Sequence, residues 1–208
     1  MKHILLKSSY NNDQAKIEIG LDEAGRGALA GPVTVAACIM PFGFQHELIK
    51  DSKLLNEAER SEAVKLVKDN AIAYSIQHVD VEFIEDQNIL KATLEGMRRC
   101  LEEVDKSNHF DFILVDGDRF HGYNGVPFET VVGGDNKYVS IASASILAKT
   151  SRDALMKALN EDHPVYGWGS NKGYGSAQHR NAIVEHGPTS HHRASFISHM
   201  LTKTESLF

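Results

Sequence analysis

The chain has 208 residues, 42% of them hydrophobic, with two cysteines and a formal net charge of −6. That length suits one domain with a small appendage, and that apolar content suits a packed core rather than disorder. The distant pair Cys38 and Cys100 excludes a disulfide framework and a close-spaced zinc motif, and no apolar run reaches the ~18 residues that crossing a bilayer needs. Met1 to Leu6 lacks the basic start, apolar core and small-residue cleavage site of a secretory signal, and the absence of a disulfide framework makes a reducing cytoplasm the expected compartment. The negative charge does not exclude a nucleic-acid partner. Metal-binding carboxylates lower the total, while phosphate contacts need only a local basic stripe.

In chain order, Lys16 to Leu21 alternates Lys16 and Glu18 against Ile17 and Ile19, the pattern of a strand running into Asp22. Gly25, Gly27 and Gly31 punctuate a bend, and Pro32 to Met40 forms a second, mostly buried strand. Asn56 to Asn70 is expected as a helix, with Asn56 as its cap and Glu59 three residues on. A strand over Ala71 to Val79 follows, then one long helical stretch from Val81 to Val104. Phe112 to Val115 is a short apolar strand ending at Asp116, Gly117 and Asp118; Thr130 to Val132 is another, ending at Gly133, Gly134 and Asp135. Small and apolar residues recur at helical spacing from Val139 to Leu159, which predicts a buried helix. Ser176 to His186 is a further helix stopped by Gly187 and Pro188, and a last short one starts at Ser190. No repeat or linker divides the chain, so residues 1–208 read as one α/β domain whose sheet packs against helices.

Acidic residues sit at three of these strand ends: Asp22 with Glu23, Asp116 and Asp135. Ends of strands along one sheet edge are where α/β folds gather functional groups. Adjacent residues in a straight strand point to opposite faces, so Asp22 and Glu23 converge only if the backbone bends, which nearby glycines permit. Carboxylates brought together repel unless cations lie between them, and hard oxygen donors select Mg²⁺ or Mn²⁺ over zinc. Any one of these aspartates alone reads equally well as a turn or helix cap.

The segment Gly20-Leu21-Asp22-Glu23-Ala24-Gly25-Arg26-Gly27 resembles the signature of the type 2 ribonuclease H family. Further blocks follow in that family's order. They are Asp51-Ser52-Lys53-Leu54-Leu55, Leu114-Val115-Asp116-Gly117, Gly134-Asp135, Ser143 to Lys149 with Ser151-Arg152-Asp153, Lys172 to Ser176, and His191 to Phe196. A set running from residue 16 to 196 is far more specific than any one short motif. The resemblance implies a ribonuclease H-like mixed sheet flanked by helices, with a helical C-terminal extension over about residues 160–208. It implies cleavage of the RNA strand in RNA/DNA hybrids, and 5′ of ribonucleotides embedded in duplex DNA. It assigns Asp22, Glu23, Asp116 and Asp135 as ligands of two Mn²⁺ or Mg²⁺ ions, the Gly25-Arg26-Gly27 backbone to the ribose 2′-OH, and Tyr174 to the sugar at the RNA–DNA junction. Ala28 and Gly175 stand where many members carry proline, and Asn171 where several carry histidine; none of these departures touches the four carboxylates.

Lys53, Lys149, Arg152 and Lys172 are candidates for phosphate contacts, each with the alternative of an ion-paired surface group. Asp153 reads as structural and Asp118 as a reserve ligand, since Asp118 shares a face with Asp116 in an extended segment. Tyr166 and Trp168 read as packing of the C-terminal helices, and His191 and His192 as structural or backbone contacts. The end, Thr204 to Phe208, resembles a bacterial sliding-clamp peptide without its usual glutamine, so Leu207 and Phe208 are its clamp-contact candidates; otherwise a monomer free of membranes is expected. Two rival readings are a phosphatase of the haloacid-dehalogenase type, built on the apolar strand before Asp116-Gly117-Asp118, and a non-catalytic hybrid-binding module. The type 3 branch of the same family usually adds an N-terminal domain, for which the residues before the first strand leave no room.

Overall fold

The structure, a computed structural model, describes residues 5–52 and 55–205. Five strands, β1 (Glu18–Ala24), β2 (Val33–Ile39), β3 (Ala73–Val79), β4 (Phe112–Asp116) and β5 (Phe128–Val131), form one sheet in the order β3-β2-β1-β4-β5. β1 lies at its centre, antiparallel to β2 with Asp22 opposite Ala36, and parallel to β4 with Leu21 opposite Val115. β3 continues the antiparallel half and β5 the parallel half, so the sheet is mixed, as expected.

The period-two alternation of β1 and β2 decides which helix covers which face. Ile19, Leu21, Val35 and Ala37 pack with Met97, Cys100 and Leu101 of helix α3 (Ile89–Asp105). Ala36 and Cys38, on the other face, pack with Ala142, Ala144 and Leu147 of α4 (Val139–Asp162) and with Ala63 and Val67 of α1 (Glu57–Asn70). Ile19 and Leu21 are fully buried, worth roughly 1.5–3 kcal/mol each. Helix α4 runs so close over β1 that a Cβ at Gly20 would stand 2.3 Å from the carbonyl carbon of Ser140. Gly20 is thus the residue that lets α4 lie flat on the strand carrying Asp22. Both cysteine thiols are buried, which pushes Cys100 up to about 12 and Cys38 higher still.

The C-terminal region is helical: α5 (Trp168–Asn171), α6 (Ala177–His186) and α7 (Ala194–Glu205). Trp168, Tyr166, Ile183 and Ile197 bury against Met156 of α4 and against Ala30, so this extension is tied to the loop that follows β1.

Element positions agree with the sequence pattern, with four informative differences. The capping box at Asn56 and Glu59 is present as expected, and Ser176 is the cap of α6 rather than its first turn. The single helix expected from Val81 to Val104 is two, α2 (Val81–Gln87) and α3, broken at Asn88. There φ is 76°, and the Asn88 side chain accepts from the N–H groups of Leu90 and Lys91. Asparagine tolerates a left-handed backbone and caps well, which hydrophobic spacing does not reveal. The last helix starts at Ala194 rather than Ser190, and β1 runs on through Glu23 to Ala24, so the acidic pair lies inside the strand rather than past its end.

Candidate active site

A cavity of about 480 Å³ opens where β1 and β4 end. It is lined by Asp22, Glu23, Asp116, the Ala24–Gly27 segment, Ser52, Ser145, Lys149 and Tyr174. The antiparallel step to β2 and the parallel step to β4 bring Asp22 and Asp116, 94 residues apart in the chain, to the same end of neighbouring strands.

Asp22 is buried, hydrogen-bonded to the hydroxyl of Ser145 on α4, and its Oδ1 accepts from the Glu23 N–H at 2.7 Å. Ser145 in turn lies 3.2 Å from the hydroxyl of Ser52. Burial, then the carboxylates of Glu23 and Asp116, raises Asp22 well above the usual aspartate range. Glu23 holds Arg26 at 3.0 Å. Asp116 Oδ1 accepts from the Gly134 N–H at 2.7 Å and so fixes the short turn Gly134–Asn136. Asp135 sits in that turn, buried, accepting from Asn136 at 3.0 Å; it is not among the residues lining the cavity. Three of the four expected carboxylates therefore share one cavity, and the fourth is one residue from the amide that Asp116 holds. Among the described residues, no three His, Cys, Asp or Glu side chains are gathered closely enough to hold an ion as they stand. The donor chemistry nevertheless fits a hard divalent cation, because an all-oxygen set in which Glu23 and Asp116 raise buried Asp22 is one that such a cation relieves.

This repulsion has a measurable consequence. Asp22→Asn keeps an amide oxygen for Ser145 and removes the buried charge. In metal-free buffer at neutral pH the variant is expected to be more stable than the parent by about 1–2 kcal/mol, a few degrees in Tm. The parent's Asp22 is raised, so its folded state holds the proton more tightly and loses stability as pH climbs through that raised value. The two proteins should therefore match in acid, below the ordinary aspartate range, and separate toward neutrality. A thermal melt series from about pH 3 to 8 in chelator checks this; a parent that stays the more stable throughout contradicts the repulsion.

The glycine-rich segment is held by two buried arginines. Arg152 of α4 donates to the carbonyls of Pro32, Ala30 and Lys172 at 2.9, 3.0 and 2.8 Å. Arg193 donates twice to Gly31, at 3.0 and 2.8 Å, and once to Arg26, at 2.8 Å. Both are fully buried. Burial, then the like charge of Arg152, lowers the Arg193 guanidinium. Gly25 has φ of 92°, and a Cβ there would fall 1.9 Å from Arg152 Nε, so only glycine fits. Arg152 is therefore a clamp on the loop, which corrects its candidacy for phosphate.

The remaining candidates divide as follows. Lys149 lines the cavity, pairs with Asp153 at 2.6 Å and lies 6.0 Å from the Tyr174 ring centroid. Asp153 has the structural partner expected of it. Lys172 lines an adjoining cavity of about 440 Å³ shared with Lys149, Lys157 and Arg60, and its ammonium donates to the Gly169 carbonyl. Lys53 lies outside the described residues. Asp118 is exposed and faces Arg119, away from the cavity lining. Tyr166 and Trp168 stack on each other at 5.1 Å inside the C-terminal extension, as packing residues. His192 is buried with its Nδ1 on Thr189. Ser52, Ser145 and the two arginine clamps were not legible as such; Ser52, Ser145 and Arg193 stood in quoted motif blocks, but their partners lie 93 to 167 residues away.

Comparison with known proteins shows the family and the fold. The family model described as Ribonuclease HII matches residues 19–199. A Ribonuclease HII of Salinibacter ruber is 52% identical over 181 residues, covering 85% of this chain and 89% of that protein. The Ribonuclease HII of Cytophaga hutchinsonii is 43% identical over 197 residues, covering 95% and 96%. Among solved structures, ribonuclease H2 from Pyrococcus horikoshii superposes with a TM-score of 0.69 at 19% identity, covering 91% of this chain and 99% of that one. A Bst-RNase HIII in complex with Mn²⁺ superposes at 0.72 and 18% identity, covering 92% of this chain and 70% of the other. These last two likenesses speak for the fold. The extent of the sequence matches sets aside the phosphatase and binding-module readings: the chain belongs to the ribonuclease HII family and is an RNA–DNA hybrid endoribonuclease.

Proposed function

We propose that the protein hydrolyses the phosphodiester 5′ of a ribonucleotide, in RNA/DNA hybrids and at ribonucleotides embedded in duplex DNA, leaving 3′-OH and 5′-phosphate ends. Two Mn²⁺ or Mg²⁺ ions would be held by Asp22, Glu23, Asp116 and Asp135. The observation that carries this reading is the opening of Asp22, Glu23 and Asp116 onto the one cavity that also receives the Gly25–Gly27 backbone and Tyr174. Bound ions supply water activation and charge stabilisation at the leaving oxygen. A complex with Mn²⁺ is named for the Bst-RNase HIII structure, which supports a divalent ion here.

The chain's own groups do the recognition. Gly25 and Gly27 lack side chains, so main-chain donors and acceptors approach the 2′-OH that separates RNA from DNA. Arg26, tied to Glu23, borders that approach. Tyr174 packs against the sugar at the junction. Lys149 and Lys172, with Lys53, contact flanking phosphates, and the position of Lys149 on both cavities suits a strand passing from one to the other. The protein acts as a cytoplasmic monomer on this reading; among the described residues no helix is long and apolar enough to cross a membrane.

The test is a duplex with one ribonucleotide, incubated with and without Mn²⁺ or Mg²⁺, with the cut mapped. Ion-dependent cleavage to 3′-OH and 5′-phosphate ends is expected. A 2′,3′-cyclic phosphate formed without ions would instead assign the chemistry to histidines activating the 2′-OH itself.

Recruitment by a sliding clamp is a further part of the proposal. Leu207 and Phe208 lie outside the described residues, and a PCNA:RNase HII complex is named for an Archaeoglobus fulgidus structure of this fold, TM-score 0.68 at 24% identity. Removing residues 204–208 should abolish retention on immobilised bacterial clamp without changing cleavage. Equal retention of both forms disposes of the contact.

A further inference from the structure

Tyr174 is the aromatic residue of the cavity, and the residue before it is already tied down, the Gly173 carbonyl accepting from the Leu29 and Ala30 N–H groups at 2.8 and 3.3 Å. Glycines flank it, Gly173 with φ of 80°, and Lys172 is also left-handed at φ 53°. Its N–H donates to the Asn171 carbonyl at 2.9 Å, and its own carbonyl accepts from Ser176 at 2.8 Å. One more contact reaches that carbonyl from the interior: His179 Nδ1 of α6 lies 3.0 Å away.

Behind His179 runs a buried chain of aromatic nitrogens whose protons can be placed in only one way. Trp168 Nε1–H, which can only donate, points at His179 Nε2 at 2.9 Å. His179 Nε2 is therefore unprotonated, and its proton sits on Nδ1, aimed at the Tyr174 carbonyl. The Thr189 main-chain N–H, also only a donor, points at His192 Nδ1 at 2.9 Å. His192 thus carries its proton on Nε2, 3.2 Å from His179 Nε2, where it shares with Trp168 the one lone pair of that nitrogen as the longer arm of a three-centre contact. Each imidazole is neutral, and a second proton on either would face another donor. Trp168 and His179 are fully buried and His192 nearly so. Burial, then the neighbouring imidazole of His179, holds His192 down to about 4, in keeping with that neutrality.

We infer that His179, oriented by Trp168 and His192, is a positioning residue that sets the Tyr174 main chain in the cavity. This rests on the reading of that cavity as the hybrid site. The chain reaches from the Thr189 loop to Tyr174 and makes the C-terminal extension a mount for the tyrosine rather than only a cover for α4.

Two amides dissect it. His179→Asn places an amide near Nδ1 and keeps a donor for Tyr174; His179→Gln reaches the Nε2 position and keeps an acceptor for Trp168 but loses that donor. On the single-ribonucleotide duplex, the Gln variant is expected to lose about tenfold to a hundredfold in kcat with KM little changed, and the Asn variant to recover most of it. In a Tyr174→Ala background the Gln change should cost nothing further. The same loss in both backgrounds, or parental kcat in the Gln variant, overturns the inference. Should the Gln variant not fold, long-range ¹⁵N–¹H spectra of the parent protein at neutral pH decide. His179 as the Nδ1–H tautomer and His192 as the Nε2–H tautomer support the chain; a cation or the opposite tautomer at either position overturns it. A parent enzyme that cuts no duplex under any ion condition fails differently, taking away the reaction while leaving the tautomers observable.

Discussion

Asp116→Asn is expected to reduce cleavage of a ribonucleotide-containing duplex by about a thousandfold or more, because several kcal/mol of ion-mediated stabilisation are withdrawn at 1.36 kcal/mol per tenfold. The fold should survive. An asparagine keeps Oδ1 for the Gly134 N–H, so the turn bearing Asp135 stays anchored, and the loss of one charge beside buried Asp22 relieves repulsion. Binding of uncleaved duplex should change by no more than about threefold, since phosphate contacts elsewhere carry affinity. Single-turnover cleavage and a binding titration on one preparation separate the two quantities. Retained turnover would remove Asp116 from the reaction, and with it the four-carboxylate assignment.

Arg193→Met should have the second largest effect, and through a different route. The methionine approximates the volume but leaves the Gly31 and Arg26 carbonyls without their donors. Hydrogen bonds to charged groups are worth about 1.5–3 kcal/mol each, whereas relief of the buried charge returns part of that, so a net loss of about 1–3 kcal/mol is expected. The activity cost should be larger than stability alone explains. The Gly25–Gly31 segment would lose its tether from the C-terminal helices, and misplacement near 1 Å costs about a hundredfold. Arg193→Lys should rescue little, because one ammonium cannot span two carbonyls that the guanidinium fork reaches together. Urea midpoints and kcat/KM on duplexes with and without the ribonucleotide provide the check. Parental kcat/KM in a folded methionine variant would show that the loop needs no such clamp.

Hydrophobic periodicity located every strand and the principal helices, because alternation in β1 and small-residue spacing in α4 reflect the faces those elements bury. It misplaced the Asn88 break, which depends on one side chain capping a left-handed backbone and not on any repeat. The acidic residues were visible for their types and their neighbouring glycines. That Asp22 and Glu23 lie within β1, with the strand continuing to Ala24, could not be read from the glycine bend alone. Arg152 stood as a phosphate candidate beside an ion-paired alternative, and neither described it, for a simple reason. A buried arginine satisfied by main-chain carbonyls 20 to 122 residues distant looks, in sequence, identical to one that greets a phosphate. The His179–His192 chain escaped for the same cause, since its meaning lies in which nitrogen faces which donor.

The central place of β1 bears on how the molecule opens. Paired on both edges and covered by α3 and α4, its amides should be among the slowest to exchange with deuterium, while α6 and α7, packed on the rest through a smaller cluster, should open earlier. A partly opened molecule would then keep its acidic pair assembled and lose the tyrosine mount first. On the proposed reading, such a form would retain affinity for divalent ions while forfeiting discrimination for the sugar, so warming should erode selectivity before it erodes metal binding.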